Sequence, residues 1–130
     1  MKVYLAASFS WYPELIEYDR ILRRNGHSCT SGWLYLHDKD QMKRMAEFDI
    51  EDINRSEIFV LFSEPKGEKT RGGKHFETGY AYARGLPIIV VGEKEHIFHE
   101  LDGVEIVKDW PEALRVINRF QRLMADLYNK

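Results

Sequence analysis

Two apolar runs dominate the chain, Ile58-Phe59-Val60-Leu61-Phe62 and Ile88-Ile89-Val90-Val91. Neither alternates with polar residues, so each predicts a strand covered on both faces. Val3 to Ala7 predicts a first strand, His27 to Leu34 holds a short second one, and Val104 to Val107 predicts a short fifth. Between these runs the spacing changes to that of helices. Leu15, Ile16, Tyr18, Ile21 and Leu22 recur along one stripe, with Pro13 near its start and Asn25-Gly26 as its stop. Asp38 or Asp40 caps a second helix, whose inward positions are Met42, Met45, Phe48 and Ile53. Gly73 to Arg84 predicts a third helix, closed by Gly85 and followed by Pro87. Pro111 to Tyr128 predicts a last one, with Leu114, Ile117, Phe120 and Leu123 on one side. Ser63 to Gly72 reads as a charged loop. Strands alternating with helices predict an α/β fold, with five strands in one doubly wound parallel sheet.

The 130 residues are the size of one domain, taken as 1–130, and the 44% apolar content is enough for a core. Nineteen basic against 21 acidic residues leave a net charge of −2. That balance argues against a nucleic-acid partner, which calls for a basic excess. The lone Cys29 excludes an intrachain disulfide and suits a reducing compartment. No apolar run approaches a membrane span. The apolar stretch after Met1 is too short for a signal peptide and meets Ser8 and Ser10 at once, so a cytoplasmic protein is expected.

The chemistry concentrates at Arg71-Gly72-Gly73-Lys74-His75-Phe76-Glu77-Thr78-Gly79-Tyr80-Ala81, between the two apolar runs. In open α/β sheets ligands bind beyond the carboxyl ends of the strands, where such loops enter helices. Phe76, Gly79, Tyr80 and Ala83 are spaced to pack on the sheet, which puts Glu77 beside the buried stripe. An acid in a first helical turn is commonly structural, favoured by the helix dipole. A sheltered one, kept ionised by helix N–H groups, can also act as a nucleophile. The Gly72-Gly73-Lys74 segment is not a phosphate loop, because Glu68 and His75 stand where that motif needs Gly and Ser or Thr. Its glycines let a ligand approach the backbone, or simply make a turn.

Asp49 and Asp52 share a helical face, and Asp49 lies near apolar Phe48 and Ile53. One such acid facing the cleft would complete a carboxylate pair, the arrangement that cleaves glycosidic bonds. Tyr4 on the first strand is either a core tyrosine or a ligand contact. Ser8 and Ser10 follow that strand and suit a sugar hydroxyl or a phosphate. Trp33 suits stacking on a base, or filling the surface between a strand and a helix. His27, His37, His75, His96 and His99 form no metal-ligand pattern in sequence, and no metal site is expected. Cys29 lies in no catalytic thiol motif.

Taken in order, these segments resemble the nucleoside 2-deoxyribosyltransferase family, especially its short phage and bacterial members. The resemblance is carried by Val3-Tyr4-Leu5-Ala6-Ala7-Ser8-Phe9-Ser10, by Thr30-Ser31-Gly32-Trp33-Leu34, by Asp49 to Glu57 and by Val90-Val91-Gly92 with Ile97-Phe98-His99. Gly72 to Ala81 is the most specific match. The resemblance implies a flavodoxin-like sheet of order 2-1-3-4-5. It implies that Glu77 is the nucleophile, that Asp49 assists the leaving base and that Tyr4 orients the nucleophile. Ser8, Phe9, Ser10, Trp33, Gly72, Gly73, Lys74 and His99 are then the substrate-binding set.

The implied reaction cleaves the N-glycosidic bond of a 2′-deoxynucleoside and transfers the sugar to another base. Relatives that hydrolyse 2′-deoxynucleoside 5′-monophosphates use the same glutamate, and a non-catalytic nucleotide-binding module is a further alternative. No cofactor or metal is required. The expected partners are a nucleoside or nucleotide, a free nucleobase and further copies of the chain in at least a dimer. Two positions depart from the transferase pattern. Arg71 replaces an acid six residues before the nucleophile, and Phe98 or His99 stands near a loop asparagine that reaches into a neighbouring subunit. Arg71 and Lys74 suit an anionic substrate.

Overall fold

The computed structural model describes residues 1–65, 68 and 71–129. The strands are β1 (Lys2–Ala6), β2 (Ser28–Cys29), β3 (Ile58–Phe62), β4 (Ile88–Val91) and β5 (Val104–Val107). The helices are α1 (Tyr12–Arg24), α2 (Met42–Asn54), α3 (Gly73–Ala83) and α4 (Trp110–Tyr128). The sheet is wholly parallel with order β2-β1-β3-β4-β5, the expected flavodoxin-like arrangement.

Alternate residues of each strand serve opposite faces. Val3, Leu5, Val60, Phe62, Ile89 and Val91 pack with Leu15 and Leu22 of α1 and Ile117 of α4. Tyr4, Ala6, Phe59, Leu61 and Val90 pack on the other face with Ile53 of α2 and Ala81 of α3. This parity sends Tyr4 toward the two helices that carry Asp49 and Glu77.

Four expectations need correction. The second strand is only Ser28–Cys29, and Gly32–Leu34 is a 3-10 turn. The Ser31 hydroxyl accepts from Leu5 N–H at 2.7 Å and donates to Leu5 C=O at 3.1 Å, so a side chain replaces the ladder there. Met42 is 75% exposed, because the first turn of α2 stands clear of the sheet. Leu123 is 53% exposed, since the last turns of α4 extend past the core. The buried residues of α3 are Lys74, Thr78 and Ala81, whereas Phe76 is 71% exposed. The helix is thus rotated from the predicted stripe, and Glu77 lies within its inner face. Positions 66, 67, 69 and 70 of the charged loop lie outside the described residues.

Candidate active site

Helix α3 starts from Gly72, whose φ of 94° is the left-handed conformation that glycine adopts without strain. Its carbonyl accepts from His75 N–H at 3.0 Å and Phe76 N–H at 3.1 Å. A Cβ on Gly73 would meet nothing within 4 Å. Backbone conformation therefore explains Gly72, and open space surrounds Gly73.

One turn further on, the Tyr4 hydroxyl donates a short hydrogen bond to Glu77 Oε2. Tyr4 is fully buried and its ring stacks on Phe59 at 5.4 Å, so the donor is rigid. Burial raises the Glu77 carboxyl to about 7; the Tyr4 hydrogen bond opposes that rise and the Asp49 charge adds to it. The expectation that helix N–H groups keep Glu77 low is thereby replaced: tyrosine supplies the stabilising donor and burial wins. Asp49 on α2 is half-buried and is raised to about 6 by burial and by Asp52. Tyr4 is pushed well above its ordinary value by burial, then by Glu77 and Asp49. Asp49 thus acts electrostatically on both partners of the pair. Asp52, its sequence neighbour on the helical face, instead accepts from Gly32 N–H at 3.1 Å and pairs with Arg55. It anchors the loop that carries Trp33.

Trp33 donates its indole N–H to Leu5 C=O at 2.9 Å, which fixes its ring at the end of β1. Phe9, 57% exposed, lies 6.4 Å from Trp33, 5.4 Å from Tyr12 and 4.7 Å from His37 between ring centres. These rings form an aromatic rim beyond β1 that suits a flat heterocycle. Ser10 is exposed in the same turn.

Ser8 and Lys74 are engaged with the protein itself. The Ser8 hydroxyl donates to Glu64 Oε1. Lys74, 3% exposed, donates from Nζ to Phe62 C=O at 3.0 Å and Glu95 at 2.9 Å, and lies 3.2 Å from Glu64. Two carboxylates compensate this buried ammonium. Sequence reading missed both, because an acid just past a strand carries no pattern of its own.

His99 belongs to a different cluster. It is buried, and its ring packs beside His96 at 4.1 Å and near His75 at 6.2 Å. Burial lowers it to about 4, with His96 next. The groups acting on Glu77 are Tyr4 and Asp49, whereas those on His99 are His96, Glu95, His75 and Lys74. The absence of metal-ligand spacing in sequence is thus overridden in space: these three imidazoles are able to share a cation. They line a cavity of about 630 Å³ with Phe76, Tyr82 and Phe98 on the outer flank of α3.

No family profile and no curated protein sequence matches the chain. Solved structures do. The CMP N-glycosidase BcmB of Clostridium botulinum superposes with a TM-score of 0.62 at 21% identity, covering 91% of this chain and 98% of that one. A 2-deoxyribosyltransferase of Bacillus psychrosaccharolyticus gives 0.68 at 20% identity, covering 87% and 90%. The chain has the fold of these two enzymes. Among the described residues, no helix is long and apolar enough to cross a membrane.

Proposed function

We propose that the chain cleaves the N-glycosidic bond of a 2′-deoxynucleoside and transfers the deoxyribosyl group to a second base. The observation that carries this reading is the buried Tyr4–Glu77 pair, with the Asp49 charge acting on both. Glu77 attacks the anomeric carbon as the bond to the base breaks, and Asp49 gives the departing base its proton. Tyr4 holds the attacking carboxylate in place. The incoming base then displaces Glu77 and returns a proton to Asp49. Two displacements retain the configuration of the sugar. The aromatic rim of Phe9, Tyr12, Trp33 and His37 accepts the base, and Gly72 and Gly73 border the sugar. No cofactor enters this scheme.

A 2′-deoxynucleoside 5′-monophosphate hydrolase is the second reading, supported by the fold shared with a CMP N-glycosidase. Glu64 weighs against it. Its carboxylate takes up Ser8 and shares Lys74 with Glu95, so two groups that would suit a phosphate are committed and a carboxylate stands beside them. A hydroxyl is a better match than a phosphate for that carboxylate. The family resemblance further implies at least a dimer, with the apolar region of Phe98 and the terminal helix α4 as candidate contacts.

Chromatography of purified protein with thymidine or deoxyadenosine and a different free base tests the proposal. A new nucleoside is the expected product. Base release from the 5′-monophosphates alone would establish the hydrolase instead. Ligand binding without turnover in any mixture would leave a nucleotide-binding module.

A further inference from the structure

His75, His96 and His99 play no part in the proposed reaction. We infer that they form a binding site for one divalent transition-metal cation of the imidazole-preferring kind, such as zinc. One ring nitrogen from each lies within 4.8 Å of the others. His75 Nδ1 and His96 Nε2 face each other at 3.1 Å. Tetrahedral zinc with nitrogen ligands at about 2.0–2.1 Å sets neighbouring ligand atoms about 3.3 Å apart, so this pair is close to coordinating separation.

A second, independent observation points the same way. Among the described residues, His96 Nδ1 and His99 Nε2 are buried without a hydrogen-bond partner. Buried polar atoms are nearly always partnered, and the orphan at His99 Nε2 calls for an absent one, whereas His96 Nδ1 lies on the other side of a ring that would coordinate through Nε2. The cavity beside α3 gives an ion a way in.

The proton balance is straightforward. One proton lies between His75 and His96, and a cation takes its place. Shifted to His75 Nε2, that proton faces the Glu95 carboxylate at 3.7 Å, the outer partner that metal-bound imidazoles usually have. His99 Nδ1 accepts from Glu95 N–H at 3.1 Å, so its ring proton resides on Nε2. Coordination through Nε2 moves that proton to Nδ1 and breaks this bond, one hydrogen bond lost for one coordinate bond formed. The nearby charges are the Lys74 ammonium and the Glu64 and Glu95 carboxylates, a net negative surrounding. Imidazole donors select zinc, nickel, copper or cobalt over magnesium and calcium. A cation here would tie the first turn of α3 to the segment before β5, two residues from Glu77.

Calorimetric titration of chelator-stripped protein with Zn²⁺ tests the site, together with Co²⁺ absorption and thermal unfolding. Saturation at one cation per chain is expected, with visible Co²⁺ bands of low coordination number and a higher Tm. Loss of a ligand in His96→Gln or His99→Ala is expected to weaken Zn²⁺ by about 100-fold or more. Circular dichroism checks that each variant folds, and His96→Gln, half-buried and close in volume, keeps the test open if His99→Ala fails. His37→Ala, outside the cluster, is expected to bind as the parent does. No saturable uptake, uptake unchanged in the folded cluster variants, or equal binding of Mg²⁺ would each overturn the site.

Discussion

Burying the Glu77 carboxyl costs the fold stability at neutral and alkaline pH. That carboxyl lies at about 7 in the fold against an ordinary 4.5, because burial outweighs the Tyr4 hydrogen bond. A carboxyl raised by folding costs nothing below pH 4.5 and its full penalty above pH 7. At 1.36 kcal/mol per unit, that penalty is about 3 kcal/mol. Glu77→Gln keeps an acceptor for Tyr4 and carries no charge. It is therefore expected to abolish turnover, by roughly 10³-fold or more, while raising Tm at pH 8 and losing that advantage near pH 4. Thermal melts across that range check the sign. Asp49 belongs to the same balance. Between about 6 and about 7 the two carboxyls hold one proton, which rests mainly on Glu77; the reactive form, with Glu77 ionised and Asp49 protonated, is the minor arrangement of that state. A bell-shaped kcat/KM profile with its maximum there is expected. Asp49→Asn removes the proton donor and the charge that raises Glu77, so the alkaline limb should vanish, a single rise governed by Glu77 below about 7 should remain, and the rate should fall roughly 10²-fold.

At the scale of elements, α3 departs from its sequence pattern for a definite reason. Phe76 would be expected inside and Lys74 outside, yet the reverse holds. The strand ends supply what makes this possible: Phe62 C=O, Glu64 and Glu95 surround the ammonium, and only such pairing makes a buried lysine tolerable. The rotation brings Glu77 under Tyr4 and turns Phe76 toward the cavity. Lys74→Met keeps the bulk and strands two carboxylates without their cation. It is expected to destabilise the fold by about 3–5 kcal/mol in urea unfolding, the usual cost of breaking a buried pair from one side. A loss below 1 kcal/mol would mean that the network does not hold α3 in place. The element boundaries followed local chemistry more faithfully. Gly26 and Gly85 end α1 and α3 with φ of 81° and 82°, and the 3.6-residue spacing of α1 places Leu15 and Leu22 in the core. The second strand was overestimated because Ser31 takes over backbone groups of β1, an interaction across 26 residues.

At the scale of the whole molecule, Phe76 and Phe98 expose 71% and 63% of their surface around one apolar cavity. Contiguous apolar surface of this kind marks an interaction site. The dimer that the family resemblance implies would cover this surface, so Phe98→Glu is expected to shift sedimentation toward the monomer; a parent protein that is already monomeric at micromolar concentration would remove that role. The sequence by itself determined the alternation of strands and helices, and so the parallel sheet, because unbroken apolar runs and helical stripes are local patterns that burial on two faces or one imposes. It also singled out Glu77, Asp49 and Tyr4, through segments with a recognisable order. Only the tertiary structure decided which way α3 faces, that Lys74 is neutralised by Glu64 and Glu95, and that His75 meets His96, 21 residues away, and His99 beside it. Each of these depends on groups brought together at the carboxyl ends of different strands. Periodicity along the chain reports burial, but not which distant partner makes a buried charge or an imidazole affordable.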